Sequence, residues 1–99
     1  MFEFKDLEPY FGKKMQINNM EFTLEKHEEL SGELAVWIGE SYTIRATPYY
    51  DNVPVAVDIV DINGQEIGTD GYYVAVDDYE SYCKVVKVLS EKILRIDRM

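Results

Sequence analysis

The sequence predicts an α+β domain in which an antiparallel sheet of about five to seven strands packs on one long C-terminal helix, with a short helix at the N-terminus. Three observations carry this expectation. Short segments of alternating apolar and polar residues fill the chain from Met15 to Val76. Turn chemistry separates them, with Asn18-Asn19, Asp51-Asn52, Asn63-Gly64 and Asp70-Gly71 at the breaks. From Asp77 onward the period lengthens to that of a helix. With 99 residues and no Gly/Ser or Pro-rich linker, residues 1–99 form a single domain.

The elements follow in order. Asp6-Leu-Glu-Pro-Tyr-Phe11 reads as a short helix capped by Asp6, with Pro9 tolerated in its first turn and Gly12 at its exit. Met15 and Ile17, then Met20, Phe22 and Leu24, alternate as two strands around Asn18-Asn19. Lys26 to Glu33 reads as a polar connection. Leu34–Ile38 is a strand, turned by Gly39-Glu40 into a second in which Tyr42, Ile44 and Ala46 alternate with Thr43, Arg45 and Thr47. Val53, Val55, Val57 and Ile59 make one face of a third. Asn63-Gly64 is the strongest hairpin signal, followed by a short return strand through Glu66-Ile67. Asp70-Gly71 then turns into a strand over Tyr72–Val76.

The final helix is expected over residues 78–96. Tyr79, Cys83, Val86, Leu89 or Ser90, Ile93 and Ile96 fall on one stripe. Asp77 with Glu80 three residues later forms a capping box, while Lys92, Arg95 and Arg98 favour the far end. The helix covers one face of the sheet and leaves the other to water or to a ligand.

Several function classes find no support in the residues. There is no phosphate loop and no dinucleotide glycine fingerprint. The N-terminus is acidic where a secretory signal is basic, and the longest apolar runs, Leu34–Ile38 and Tyr72–Val76, fall far short of a membrane helix. One cysteine, Cys83, excludes an internal disulfide and a multi-thiolate metal site, so a reducing cytoplasm is the expected compartment. His27, the only histidine, reads as a solvated loop residue, and Cys83 falls on the buried stripe, so the two are not expected to act as base and nucleophile. Asp61-Ile-Asn-Gly-Gln-Glu66 lacks the ligand spacing of a calcium loop. No catalytic, cofactor or metal residue is assigned. Asp58 interrupts an apolar strand on the side of Ala56 and Val60; it is expected to be a surface charge, and only if that side is buried is Arg45 its nearest candidate partner by strand pairing.

Charge distribution is the clearest anomaly. The net charge is −9, and residues 46–83 hold eight acids and no Lys or Arg. These acids are Asp51, Asp58, Asp61, Glu66, Asp70, Asp77, Asp78 and Glu80, interleaved with Tyr49, Tyr50, Tyr72, Tyr73, Tyr79 and Tyr82. Such a stretch repels nucleic acid and anionic lipid and attracts basic surfaces, and tyrosine is favoured at interfaces. The expected function is a non-enzymatic acidic protein-binding module, an inhibitor or DNA mimic of the kind small mobile-element proteins use. Its eight acids together with Tyr49 and Tyr72 would meet a basic partner such as a nucleic-acid-binding protein. The alternative is a self-associating structural subunit, a homodimer in its simplest form. A third reading places a small-molecule site on the uncovered sheet face near Trp37 and Arg45.

Overall fold

The computed structural model describes residues 1–30 and 32–97, the side chains of residues 96 and 97 excepted. A 3-10 helix, Phe4–Tyr10, is followed by strands β1 (Lys14–Ile17), β2 (Met20–Glu29), β3 (Gly32–Ile38), β4 (Tyr42–Arg45), β5 (Pro48–Tyr50), β6 (Val53–Asp61) and β7 (Glu66–Tyr72), and then by helix α1 (Tyr79–Asp97). Every pairing is antiparallel, and consecutive strands pair with one another except β4 and β5, which both pair with β6. β4 and β5 share one edge of β6, meeting its two ends, and β7 runs along the other edge. Helix α1 touches β1, β6 and β7, so the sheet curls around it.

Strand alternation sends one set of side chains toward the helix. Leu24, Trp37, Ile44 and Ile59 stand opposite one another across four strands, and all four are fully buried. Gly68 of β7 ends this row because Ile93 of the helix lies over it: a Cβ there would sit 2.9 Å from Ile93 Cγ2. Phe22, Val55 and Val57 fill the rest of the face. Each such side chain, fully removed from water, contributes about 1.5–3 kcal/mol before entropy is counted.

One polar contact fixes the helix on this surface. Tyr82 is fully buried; its hydroxyl accepts from Trp37 Nε1 at 3.2 Å and donates to the Ala46 carbonyl at 2.5 Å. Ala46 and Thr47 form the break between β4 and β5, where the ladder is interrupted. There Thr47 Oγ1 accepts the Ala35 N–H at 2.9 Å in place of a strand partner.

The sequence expectation of an α+β fold holds, and several boundaries move. The Lys26–Glu33 connection is instead a hairpin arm: β2 and β3 stay paired out to Glu29 and Gly32, beyond the core, where polar residues face water on both sides. Asp70-Gly71 is not a turn but part of β7. Asp70 stands opposite Val57, and its carboxylate accepts from Lys92 Nζ at 3.0 Å and Gly71 N at 2.8 Å. Tyr73–Val76 is irregular rather than a strand, and Val76 accepts the Phe2 N–H at 2.8 Å.

The N-terminal helix begins at Phe4, and Asp6 caps it from inside the first turn by accepting the Glu3 N–H at 2.9 Å. Helix α1 is capped one residue later than expected, by Asp78, whose Oδ1 accepts the Ser81 N–H at 2.8 Å. Its buried stripe is centred on Tyr82, Val86, Ser90, Ile93 and Leu94, with Tyr79, Cys83 and Leu89 half-buried at the flank. Ile96 and Arg98, assigned to this helix from sequence, lie outside the described side chains. The stripe rotates because the Tyr82 hydroxyl finds two partners inside.

Tyr82→Phe leaves a buried indole N–H and a buried carbonyl unpaired, and should cost about 3 kcal/mol in urea unfolding; a loss below about 1 kcal/mol would contradict the docking role. Ser90 has the opposite sign. Its buried Oγ has no hydrogen-bond partner among the described residues, so Ser90→Ala should be neutral or stabilising by up to about 1 kcal/mol in the same assay.

Candidate functional site

The face of the sheet turned away from α1 is built in rows by the same pairing. Glu25, Val36, Arg45, Asp58 and Thr69 stand opposite one another across five strands. Beside them, His27 faces Leu34, and Ala56 faces Gly71. On the other side run Lys14, Thr23, Ile38, Thr43, Val60 and Glu66. Small residues at the centre of this face leave a trench. One cavity of about 200 Å3 is lined by Glu29, Leu34, Arg45, Thr47, Tyr50, Ala56 and Asp58. A second of about 380 Å3 shares Ala56 and Asp58 and runs on to Thr69, Gly71 and Tyr73. The Tyr73 ring folds over Gly71, where an added Cβ would lie 2.9 Å from its hydroxyl.

Arg45 and Asp58 form an ion pair through Nη2 and Oδ2, the partnership that strand register implies. The side chains are 38% and 30% exposed, yet Arg45 Nε and Asp58 Oδ1 are buried without hydrogen-bond partners among the described residues. Such a half-satisfied pair adds little to stability.

Carboxylates outnumber cations on this face. Glu21, Glu25, Glu29, Asp58 and Glu66 stand against Lys14 and Arg45. Both cations are already paired, Lys14 with Glu21 at 2.8 Å and Arg45 with Asp58. Glu29 and Glu66 have no ion-pair partner among the described residues, and Glu25 meets only His27 Nε2, at 3.6 Å. The exposed side of α1 has the reverse bias, with Lys84, Lys87, Lys92 and Arg95 against Glu80 and Glu91.

The ten residues singled out in the sequence do not gather on one surface. Asp58 and Glu66 belong to the uncovered face. Asp61 closes the β6–β7 turn, its Oδ1 accepting the N–H groups of Asn63 and Gln65 at 2.9 Å each. Asp51 lies in the β5–β6 turn with φ of 52°. Asp70 faces α1 and pairs with Lys92. Asp77 lies 3.9 Å from the N-terminal amine, Asp78 caps α1, and Glu80 pairs with Lys84 at 3.3 Å. Tyr49 is half-buried with φ of 55°, and Tyr72 borders α1 beside Lys84, Val85, Val88 and Leu89. Of the eight acids of the base-free stretch, Asp58, Asp70, Asp77, Asp78 and Glu80 are thus engaged in a cap or in ion pairs, and Asp61 in a turn.

Glu25, Glu29 and the exposed rings of Tyr50 and Tyr73 were not assigned to a site from sequence. The signal was partial: Phe22 and Leu24 alternate with Glu21, Thr23 and Glu25, and only extending that period past the last apolar residue puts His27 and Glu29 outward as well. Trp37 is not on this face at all; it lies under Tyr82.

Cys83 and His27 are separated by the sheet, since Cys83 sits on α1 and His27 on the outward side of β2. Burial raises the Cys83 thiol above its ordinary range, opposed by its hydrogen bond with Tyr79, and a protonated thiol is a poor nucleophile. Among the described residues no three His, Cys, Asp or Glu side chains converge as metal ligands, and no helix is long and apolar enough to cross a membrane. No family model, curated protein or solved structure matches the chain.

The Asp70 carboxyl is held below its ordinary value of 3.8, first by the Lys92 hydrogen bond and then by the Gly71 N–H. A depressed folded-state value stabilises above the unfolded pKa and is lost as pH falls through the folded one. Asp70→Asn should therefore cost about 1 kcal/mol or less at neutral pH, the scale of a surface ion pair. The gap to wild type should close as pH drops below 3.8. A gap that is constant from neutral to strongly acid pH in urea titrations would contradict this.

Proposed function

We propose that this chain is a non-enzymatic protein-binding module whose uncovered sheet face engages a basic surface on a partner. Its carboxylates would stand where the phosphates of a nucleic acid would stand, so the partner is a nucleic-acid-binding protein and the effect is inhibition. The observation that carries this reading is the charge of that face. Its two permanent cations are consumed in ion pairs, and Glu25, Glu29 and Glu66 remain in excess around an open trench. A rigid sheet holds these groups in place, and exposed Tyr50 and Tyr73 add stiff contact area. The functional surface is thereby recentred from residues 46–83 onto β2, β6 and β7.

Capture from lysate at low salt should retain basic nucleic-acid-binding proteins. They should elute as salt shortens the Debye length from about 10 Å toward about 3 Å. A variant carrying Glu25→Gln, Glu29→Gln and Glu66→Gln should lose that capture, whereas Asp77→Asn with Glu80→Gln should keep it. Equal capture by the first variant, or capture that resists salt, would contradict the reading.

One feature favours self-association as a second reading. No strand among the described residues pairs with β7 on the side away from β6. Next to that edge, Tyr72, Val85, Val88 and Leu89 line an apolar depression, with Val88 64% exposed. An open edge beside an apolar strip is the geometry of strand-paired dimers. A dimer of this kind would persist at high salt in sedimentation and dissociate on Val88→Glu; a monomer at every concentration would remove it.

A further inference from the structure

Resting on the reading of the uncovered face as the binding surface, we propose that its trench is a peptide groove. It takes an extended basic segment of the partner and seats one lysine or arginine side chain in the cavity between Glu29, Tyr50 and Asp58.

The cavity of about 200 Å3 has room for one long side chain and the walls to match it. Leu34 and Ala56 offer apolar surface to an alkyl stem, as long cationic side chains require. Glu29, without an ion-pair partner among the described residues, offers its carboxylate to the charged head, and the Tyr50 ring offers a π-face. The one cation in the lining, Arg45, is committed to Asp58, so the sign left over is negative and a phosphate or carboxylate is disfavoured.

The second cavity extends the site from a side-chain pocket to a peptide groove: it continues the trench through Ala56 and Asp58 to Gly71 and Tyr73, giving an extended chain a path across the strands.

The test uses the full chain and a short Gly/Ser peptide with arginine at alternate positions, titrated by calorimetry. An otherwise identical peptide with citrulline for arginine is the control. The arginine peptide should bind at least roughly tenfold more tightly than the citrulline peptide, the scale of one charge-assisted hydrogen bond. Ala56→Leu fills the trench floor without changing charge and should weaken binding roughly tenfold. Tyr50→Ser, at an exposed position, should also weaken it and guards against a folding defect in the first variant. Equal binding of the two peptides, or no binding of either, would overturn the groove. Arginine-peptide binding that survives both substitutions yet falls with the Glu25, Glu29 and Glu66 triple variant would overturn the groove and leave the charged-face reading standing. Failure of the charged-face reading has a different sign, namely lysate capture indifferent to the triple variant.

Discussion

The buried hydroxyl of Tyr82 ties α1 to the sheet at the point where β4 gives way to β5, and the sidedness of the molecule depends on that contact. One oxygen atom joins the helix to Trp37 of β3 and to Ala46 in the break between β4 and β5, both far from it in sequence. The rest of the helix face then has a single register. Val86 and Leu94 enter the core, and Ile93 closes over Gly68. Burial holds the Tyr82 phenol protonated far above its ordinary range, so the hydroxyl keeps its proton to donate at any physiological pH.

With α1 committed to the concave side, no second helix among the described residues covers the other. An antiparallel sheet tolerates this if most outward positions are polar, and here they are acidic along β2 and small at the centre of β6 and β7, while the apolar Leu34 and Val36 of β3 are buried among their neighbours. The result is a molecule whose charges are sorted by face. Carboxylates collect on the bare sheet and cations on the outward side of α1, although neither segment of sequence is adjacent to its counterpart. A surface of this kind steers a basic partner on approach and holds it weakly at high ionic strength. The trench between Tyr50 and Tyr73 supplies the shape that charge alone lacks.

Much of the fold was legible in the sequence because local signals and tertiary structure agree. Asn18-Asn19, Asp51-Asn52 and Asn63-Gly64 all mark real turns, and their asparagines tolerate the positive φ values found at the first two. Where the reading failed, tertiary contacts overrode local preference. Asp70-Gly71 looks like a turn, yet Lys92 and Ile93 of a helix far along the chain hold that segment in β7. The arm at Glu25–Glu33 has no apolar alternation because it projects past the core, so only the backbone ladder marks it as sheet. The candidate site was harder to see. Eight acids without a base form a conspicuous run in one dimension, but Asp61 is spent on a turn, Asp78 on a cap, and Asp58, Asp70, Asp77 and Glu80 on ion pairs. Which acids remain free, and on which face, follows from strand register, and register was fixed only once the pairing was known.

The central claim is that the fold concentrates negative potential on the bare face of the sheet. The direct measurement is amide-resolved paramagnetic relaxation by NMR with matched cationic and anionic cosolutes, which reports the local potential at each residue. The cationic cosolute should be enriched near Glu25, Thr43, Ala56 and Thr69, and the anionic one near Lys87 and Arg95 on α1. Equal enrichment of the two cosolutes over both faces, or the reverse order, would contradict the account.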